Sequence, residues 1–369
     1  MIPFLDLCNL NLRFMREFQE ALGRTLERGW FINGEEVRAF EQEFAAYCGT
    51  RYAIGVGNGL DALALILRAM LELGRLSPGD EVIVPGNTFI ATALAVTGNG
   101  LGLKLVEPEP SRFNLDPAAV EAAIGERTQV ILAVHLYGRL ADMRSLRELA
   151  DRRGLVLVED AAQAHGASVE GKRAGSWGLA GAFSLFPGKP LGALGDAGVI
   201  TTDDEALANC LRSLRNYGSQ IKYRHDQLGV NSRLDELQAA FLRIKLRSLD
   251  ADNLARDEIA RRYCAGIVNP ALTLPYLPQD DSEVHAWHLF VVRCKQRQRL
   301  QQYLAEQGVE TLIHYPLPIH LQPAYADLAR VELPLTEGLS DSVLSLPIYP
   351  GLSGAQIDTI IAACNAFPG

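Results

Sequence analysis

The sequence predicts an α/β protein: a large domain on a mixed, mostly parallel sheet of about seven strands, then a smaller C-terminal α+β domain. Three observations carry this. Short Val/Ile/Leu-rich runs alternate with helical periodicity through the first two-thirds of the chain. Several runs are continuously apolar, as strands covered on both faces require. From residue 232 the pattern changes to long helix and then to sparser strands.

Taken in order, the expected strands are 51–57, 81–86, 103–108, 129–138, 155–160, 180–186 and 197–202. Helices are expected at 60–73, 88–98, 117–125, 142–153 and 203–216. The last two strands follow each other with no helix between them, so one of the pair should run antiparallel. The stretch after 232 reads as one long connecting helix. A proline-rich segment (269–288), a strand (288–294), a helix (296–307), a strand-like piece (309–314) and a closing helix (353–366) complete the chain. Residues 9–28 form an amphipathic helix with no place in the sheet; it can pack on either domain. The expected division is 1–245 and 246–369.

With 369 residues, 48% apolar and 21% charged, the chain has ordinary globular composition. No uncharged apolar run reaches 18 residues, so no membrane helix is expected. The N-terminal MIPFLDLCNLNLRF lacks a basic region before an apolar core, so no signal peptide is expected. Six dispersed cysteines without a CxxC suit a reduced, cytoplasmic protein and suggest no metal site. A formal charge of −9 argues against nucleic acid but leaves room for a small anionic ligand in a local pocket.

Ligands in open α/β sheets gather at the carboxyl ends of the parallel strands, so the residues after each strand are the candidates. After 51–57 comes Asn58-Gly59, and a helix begins near Leu60. Either Asn58 caps an ordinary turn, or the free amides and helix dipole of Gly59, Leu60 and Asp61 cradle a phosphate. Residues 57–62 also fit G-x-G-x-x-A, but a dinucleotide site wants an acidic residue after the next strand, where Pro85-Gly86-Asn87 stands. Phe89, after the second strand, is either a core ring or one that stacks on a flat cofactor.

The strand 155–160 ends in Glu159-Asp160. A carboxylate there needs a partner, either a turn it caps or a protonated ring nitrogen. Gln163 and His165 follow within reach. Lys189 sits in FSLFPGKPLGALGD, with no other charge until Asp196, and is one of only six lysines among 35 Lys plus Arg. It is either an exposed loop lysine or an amine whose apolar setting lowers its pKa and makes it a Schiff-base nucleophile. Taken together, the helix N-terminus, aromatic ring, Asp160 and Lys189 describe pyridoxal 5′-phosphate (PLP), with Ser184 as a further phosphate donor.

Long motifs then resemble the sugar aminotransferases of the DegT/DnrJ/EryC1/StrS family: IPFLDL, GWFINGEEVRAFEQEFAAYCG, GVGNGLDAL, EDAAQAHGA, FSLFPGKPLGALGDAG, RNYGS, GVNSRLDELQAA, HYPLPIHLQPAY and LSLPIYPGLS. The resemblance runs nearly end to end. It implies the aspartate aminotransferase-like fold (PLP fold-type I). It makes Lys189 the Schiff-base lysine, and places Asp160 at the pyridine nitrogen, Gln163 at the ring O3′ and Phe89 on the ring. It puts the phosphate on Gly59, Leu60, Asp61, Ser184 and an Asn231 from the other subunit of a homodimer. It puts the substrates near Phe31, Asn33, Tyr217, Tyr223, His225, His314 and His320. It also implies L-glutamate as donor and a nucleotide-linked keto sugar as acceptor. GNGLDAL, RNYGS and PIHLQPAY look most like the subgroup that aminates C-3 of dTDP-3-oxo-6-deoxyhexoses. The alternatives are amination at C-4, a PLP-dependent sugar dehydratase and a non-catalytic PLP-binding regulator. The dehydratase branch replaces the lysine by histidine, which Lys189 argues against. Pro190, Leu185 and Gly86 depart from the common pattern, which has Asn, an aromatic and Ser at those places.

Overall fold

A computed structural model describes residues 1–278, 282–328 and 330–369; residues 279–281 of the proline-rich segment lie outside the described residues. The central sheet has seven strands: β1 (Tyr52–Val56), β2 (Glu81–Pro85), β3 (Gly102–Val106), β4 (Thr128–Val134), β5 (Val156–Asp160), β6 (Ala180–Ser184) and β7 (Gly198–Thr202). Their spatial order is β1-β7-β6-β5-β4-β2-β3. The antiparallel member is β7, in register with β1 from Tyr52↔Thr202 to Val56↔Gly198 and with β6 from Ala180↔Thr202 to Ser184↔Gly198. The reason is connectivity: only a loop joins β6 to β7, whereas a parallel pair needs a crossover. That loop carries Lys189.

Both faces of the sheet are buried, as the apolar runs require. Val82, Val84, Val130 and Leu132 pack into one cluster, while the alternate residues Ile83, Ile131 and Ala133 pack into the opposite one. A separate cluster gathers Ile259, Tyr263, Trp287, Phe290, Val292, Leu300, Leu344 and Ile360. We read it as the core of the smaller domain.

Three expectations are corrected. The long connector is two helices, Glu236–Leu246 and Leu249–Gly266, interrupted at Arg247-Ser248. The N-terminal helix is also two pieces, Leu7–Leu12 and Met15–Arg28, with Phe14 between them. Phe14, Phe18 and Ala21 pack on Ala240, Phe241 and Ile244, which seats the second piece on helix Glu236–Leu246. The segment 309–314 is not a strand; it makes single bridges, Ile2↔Val309 and Leu312↔Ser345. The strand β8 (Phe290–Arg293) instead pairs with β9 (Val343–Leu346), four residues too short to show a period in the sequence. Helices Glu35–Cys48 and Pro334–Ser342 are further additions. Among the described residues, no helix is long and apolar enough to cross a membrane, no cluster could hold a metal ion, and all six cysteines are free.

Candidate active site

The carboxyl ends of β1, β2, β5 and β6 open on one cavity of about 380 Å³. Its walls include Gly59, Leu60, Phe89, Asp160, Gln163, Ser184 and Lys189. The first element is the N-terminus of helix Gly59–Glu72. Asn58 caps it, its side-chain oxygen accepting from the Asp61 amide at 2.8 Å. That bond takes Asp61 out of the expected anion seat, leaving the amides of Gly59 and Leu60 without an acceptor in the helix. Only glycine fits at 59: a Cβ there would lie 2.6 Å from the Ser184 Cβ. This close approach sets Ser184 beside the helix end.

Asp160 lies at the floor, 6% exposed. Its Oδ2 accepts from Thr92 Oγ1 at 2.8 Å and its Oδ1 from the Ala162 amide at 3.1 Å. Burial raises its pKa; these two donors and the Lys189 charge oppose that rise. The neighbouring Glu159 points to the other face, where it accepts from the amides of Gly175, Trp177 and Gly178. Glu159 Oε2 also meets His135 Nε2 at 3.0 Å, while His135 Nδ1 accepts from the Ala141 amide. Both nitrogens of His135 are therefore engaged, and this histidine is no free base in the cavity.

Gln163 is fixed from both ends. Its Oε1 accepts from the Tyr137 amide at 2.5 Å and its Nε2 donates to the Tyr315 hydroxyl at 2.8 Å. The Tyr315 ring lies 5.1 Å from that of Phe89, which is half exposed toward the cavity.

Lys189 stands on a compact loop. Its amide donates to Phe186 O at 2.9 Å, and the Ala193 amide closes the loop onto Leu185 O at 2.8 Å. Neither bond uses residue 190, so a proline there loses no donor that the loop needs. Burial pulls the Lys189 ammonium from 10.5 down to about 8, against the opposing charge of Asp160. The surrounding imidazoles are held neutral: His314 is lowered to about 4 and His165 to about 3, each by burial and then by Lys189, and His288 is also lowered.

The other two departures from the family pattern are packing matters. Leu185 is fully buried in the core. At Gly86 a Cβ would meet Leu333 Cδ1 and Thr336 Oγ1 at 2.9 Å, so helix Pro334–Ser342 occupies the room a serine would need.

The expected substrate residues divide. His314 borders a second cavity on Lys189 and bonds Ser345 Oγ at 2.9 Å through Nδ1. His320 does not join the site; it is 1% exposed and its Nε2 meets Glu337 Oε1 at 3.1 Å. Phe31, Tyr217, Tyr223, His225 and Asn231 are exposed, and with half-buried Asn33 they line neither cavity around Lys189. They lie instead on two segments away from those cavities, 31–33 and 217–231. Phe31 O accepts from the Glu236 amide, Asn216 bridges Asn231, the Tyr217 amide donates to Val230 O, and His225 Nδ1 lies 2.8 Å from Tyr217 O. Asn33, Tyr217 and Tyr223 have φ of 53°, 59° and 68°.

Sequence reasoning missed Thr92, His288 and Tyr315. Tyr315 had a signal in HYPLPIHLQPAY, but its histidines drew the attention. Thr92 carried none, because its role depends on helix Ile90–Thr97 lying against β5.

The arrangement can seat an anion on the helix end, cover a flat ring with Phe89, set a carboxylate beneath it and present a partly neutral amine. The DegT/DnrJ/EryC1/StrS aminotransferase family model matches residues 13–365. The chain is 52% identical over 367 residues to dTDP-3-amino-3,6-dideoxy-alpha-D-galactopyranose transaminase of Aneurinibacillus thermoaerophilus, covering 100% of this chain and 99% of that protein. It is 49% identical over 365 residues to dTDP-3-amino-3,4,6-trideoxy-alpha-D-glucose transaminase of Streptomyces venezuelae, covering 98% and 95%. The crystal structure of S. venezuelae DesV in complex with a ketimine intermediate superposes with a TM-score of 0.94 at 49% identity, over 99% of this chain and 97% of that one. The expected aminotransferase fold is thereby borne out. Matched along nearly its whole length in sequence and in fold, the chain belongs to the DegT/DnrJ/EryC1/StrS aminotransferase family.

Proposed function

We propose that this aminotransferase moves an amino group from L-glutamate to C-3 of a dTDP-3-oxo-6-deoxyhexose, with PLP as cofactor. One observation carries the cofactor: Lys189 and Asp160 line the same cavity as Ser184 and the two unpaired helix amides. The residues fit PLP by chemistry. Gly59 N, Leu60 N and Ser184 Oγ would take its phosphate, Phe89 its ring face, Gln163 its phenolic oxygen and Asp160 its nitrogen. Bound there, PLP supplies an aldehyde that accepts an amino group and a ring that accepts electrons.

The chain's own residues do the rest. Asp160, fixed by Thr92 and Ala162, would hold a proton at the ring nitrogen of a bound cofactor, and that positive charge would offset the burial of its carboxylate. Lys189 is the attachment point. Its Nζ would move a proton from the donor's Cα to the cofactor's aldehyde carbon, a role suited to an amine lowered to about 8. Phe89, Tyr315 and Gln163 hold the ring in one orientation.

The choice of sugar is supported by the two relatives named for dTDP-3-amino sugars. The site is completed by a second protomer in this reading. The exposed surface that holds Phe31, Tyr217 and Asn231 also exposes Trp30, Ile221, Leu228 and Val230, an apolar patch suited to an interface. It would present Asn231 to the partner's phosphate and Tyr217, Tyr223 and His225 to the partner's sugar.

The test is product analysis with glutamate and a panel of dTDP- and UDP-keto sugars. The expected product is a dTDP-3-amino-3,6-dideoxyhexose with stoichiometric 2-oxoglutarate. A sugar that loses its hydroxyl and gains no nitrogen would make the protein a dehydratase instead.

A further inference from the structure

Lys189 borders two cavities. The second, about 320 Å³, lies between the lysine loop, the N-terminal segment and the start of helix Leu249–Gly266. Its walls hold an excess of positive charge: Arg13, Lys189, Lys245 and Arg256 against the single carboxylate of Asp252. That carboxylate is already committed. Arg13 Nη1 donates to Asp252 Oδ1 at 2.7 Å, and Arg13 Nη2 donates to Oδ2.

Lys245 and Arg256 are satisfied only by neutral groups. Lys245 Nζ donates to Asn11 Oδ1 at 3.0 Å and to Gly192 O. Arg256, 5% exposed, donates from Nε to Ala286 O at 2.8 Å and from Nη2 to Asn253 Oδ1. Among the described residues neither forms an ion pair, and nor does Lys189. Arg256 is buried and Lys245 half-buried, and the one carboxylate near them, Asp252, is already paired with Arg13, so an added anion would be favourable there. Burial accordingly draws Lys245 down to about 8 and Arg256 to about 10. The rest of the wall is apolar, with Phe4, Leu5, Leu10, Leu289, Leu312 and Ile348. Such a wall suits a short aliphatic chain, and the volume falls in the range of small-molecule sites.

We propose that this second cavity is the amino donor's carboxylate subsite, with Lys245 and Arg256 holding a carboxylate of a small dicarboxylic acid beside Lys189. This rests on the aminotransferase reading above. An inorganic anion shares the charge but not the apolar chain, and the two are separable by experiment.

The test is calorimetric titration of the cofactor-loaded protein with glutarate, a dicarboxylate without an amine, and separately with sulfate. Glutarate should bind saturably, and Lys245→Met should weaken it about tenfold or more, the range for losing a charge-assisted hydrogen bond. Lys245→Arg should restore most of the affinity. If Lys245→Met does not fold, Leu312→Trp, which fills the cavity from its rim, should weaken glutarate in the same way. Lys245→Met should also raise the KM for glutamate while that for the keto sugar stays unchanged. Glutarate binding that is equal in wild type and Lys245→Met overturns the proposal. So does sulfate binding that glutarate cannot displace, since the site then belongs to inorganic anions. Calorimetry reads binding alone, so a failure to transfer amine would count against the aminotransferase reading and leave these titrations legible.

Discussion

The cavity at Lys189 and the exposed surface around Phe31, Tyr217 and Asn231 were expected to serve one reaction, yet they are built differently. The cavity is assembled from strand ends within one chain, and its polar groups are already fixed. Asp160, Gln163 and Tyr315 each have a hydrogen-bond partner in place. The surface consists of loops whose apolar residues face outward and whose backbone turns through positive φ at Asn33, Tyr217 and Tyr223. The contrast teaches where each half of the reaction is specified. In the proposed reading, cofactor chemistry needs rigid placement and falls to the sheet, while sugar recognition falls to loops that a second copy of the chain would complete.

Four perturbations break or sharpen that contrast. The largest effect belongs to the cavity: Lys189→Ala should lower turnover by about 10²–10⁴, the usual contribution of a general base, or more because attachment is also lost. Steady-state product formation checks this. Next comes the surface. Asn231→Ala and Lys189→Ala homodimers should both be weak, but mixed dimers should regain activity because one of their two sites is intact. No recovery on mixing would put Asn231 outside the partner's site.

A smaller effect concerns pH. Lys189 is lowered to about 8 in the folded chain against 10.5 ordinarily. Between those values the unfolded state binds more protons, so this group makes cofactor-free protein more stable as pH rises through about 8 to 10.5. Lys245, also lowered to about 8, acts with the same sign. Lys189→Met should therefore flatten, without abolishing, the rise in chemical denaturation midpoint over that window. The smallest functional effect is expected at His320. His320→Ala removes a buried ring and its contact with Glu337, costing about 1–3 kcal/mol of stability. Substrate KM values should stay unchanged.

Much of the cavity was legible because its residues end apolar strands, where a polar group stands out. Asp160 after LVLVE and Lys189 after FSLFPG are conspicuous for that reason. The turn after β1 was legible either as one capped by Asn58 or as an anion seat of helix amides; Asn58 is the cap, which withdraws the Asp61 amide. His320 misled because a histidine in a motif looks functional, and only burial shows that it packs against Pro334–Ser342. Thr92 was illegible because its role arises from a contact across 68 positions of sequence, and Tyr315, though inside a motif, showed its role only through a contact across 152. The two long-helix expectations failed at Phe14 and Arg247-Ser248, where no proline or glycine marks the break.

The most direct test of the site is to load the protein with PLP, reduce it with borohydride and map the modified peptide by mass spectrometry. A Schiff base should absorb at about 410–430 nm before reduction. Afterwards the cofactor mass should sit on Lys189, one of six lysines in the chain. Modification at Lys104, Lys172, Lys222, Lys245 or Lys295 in its place, or none at all, would contradict the assignment.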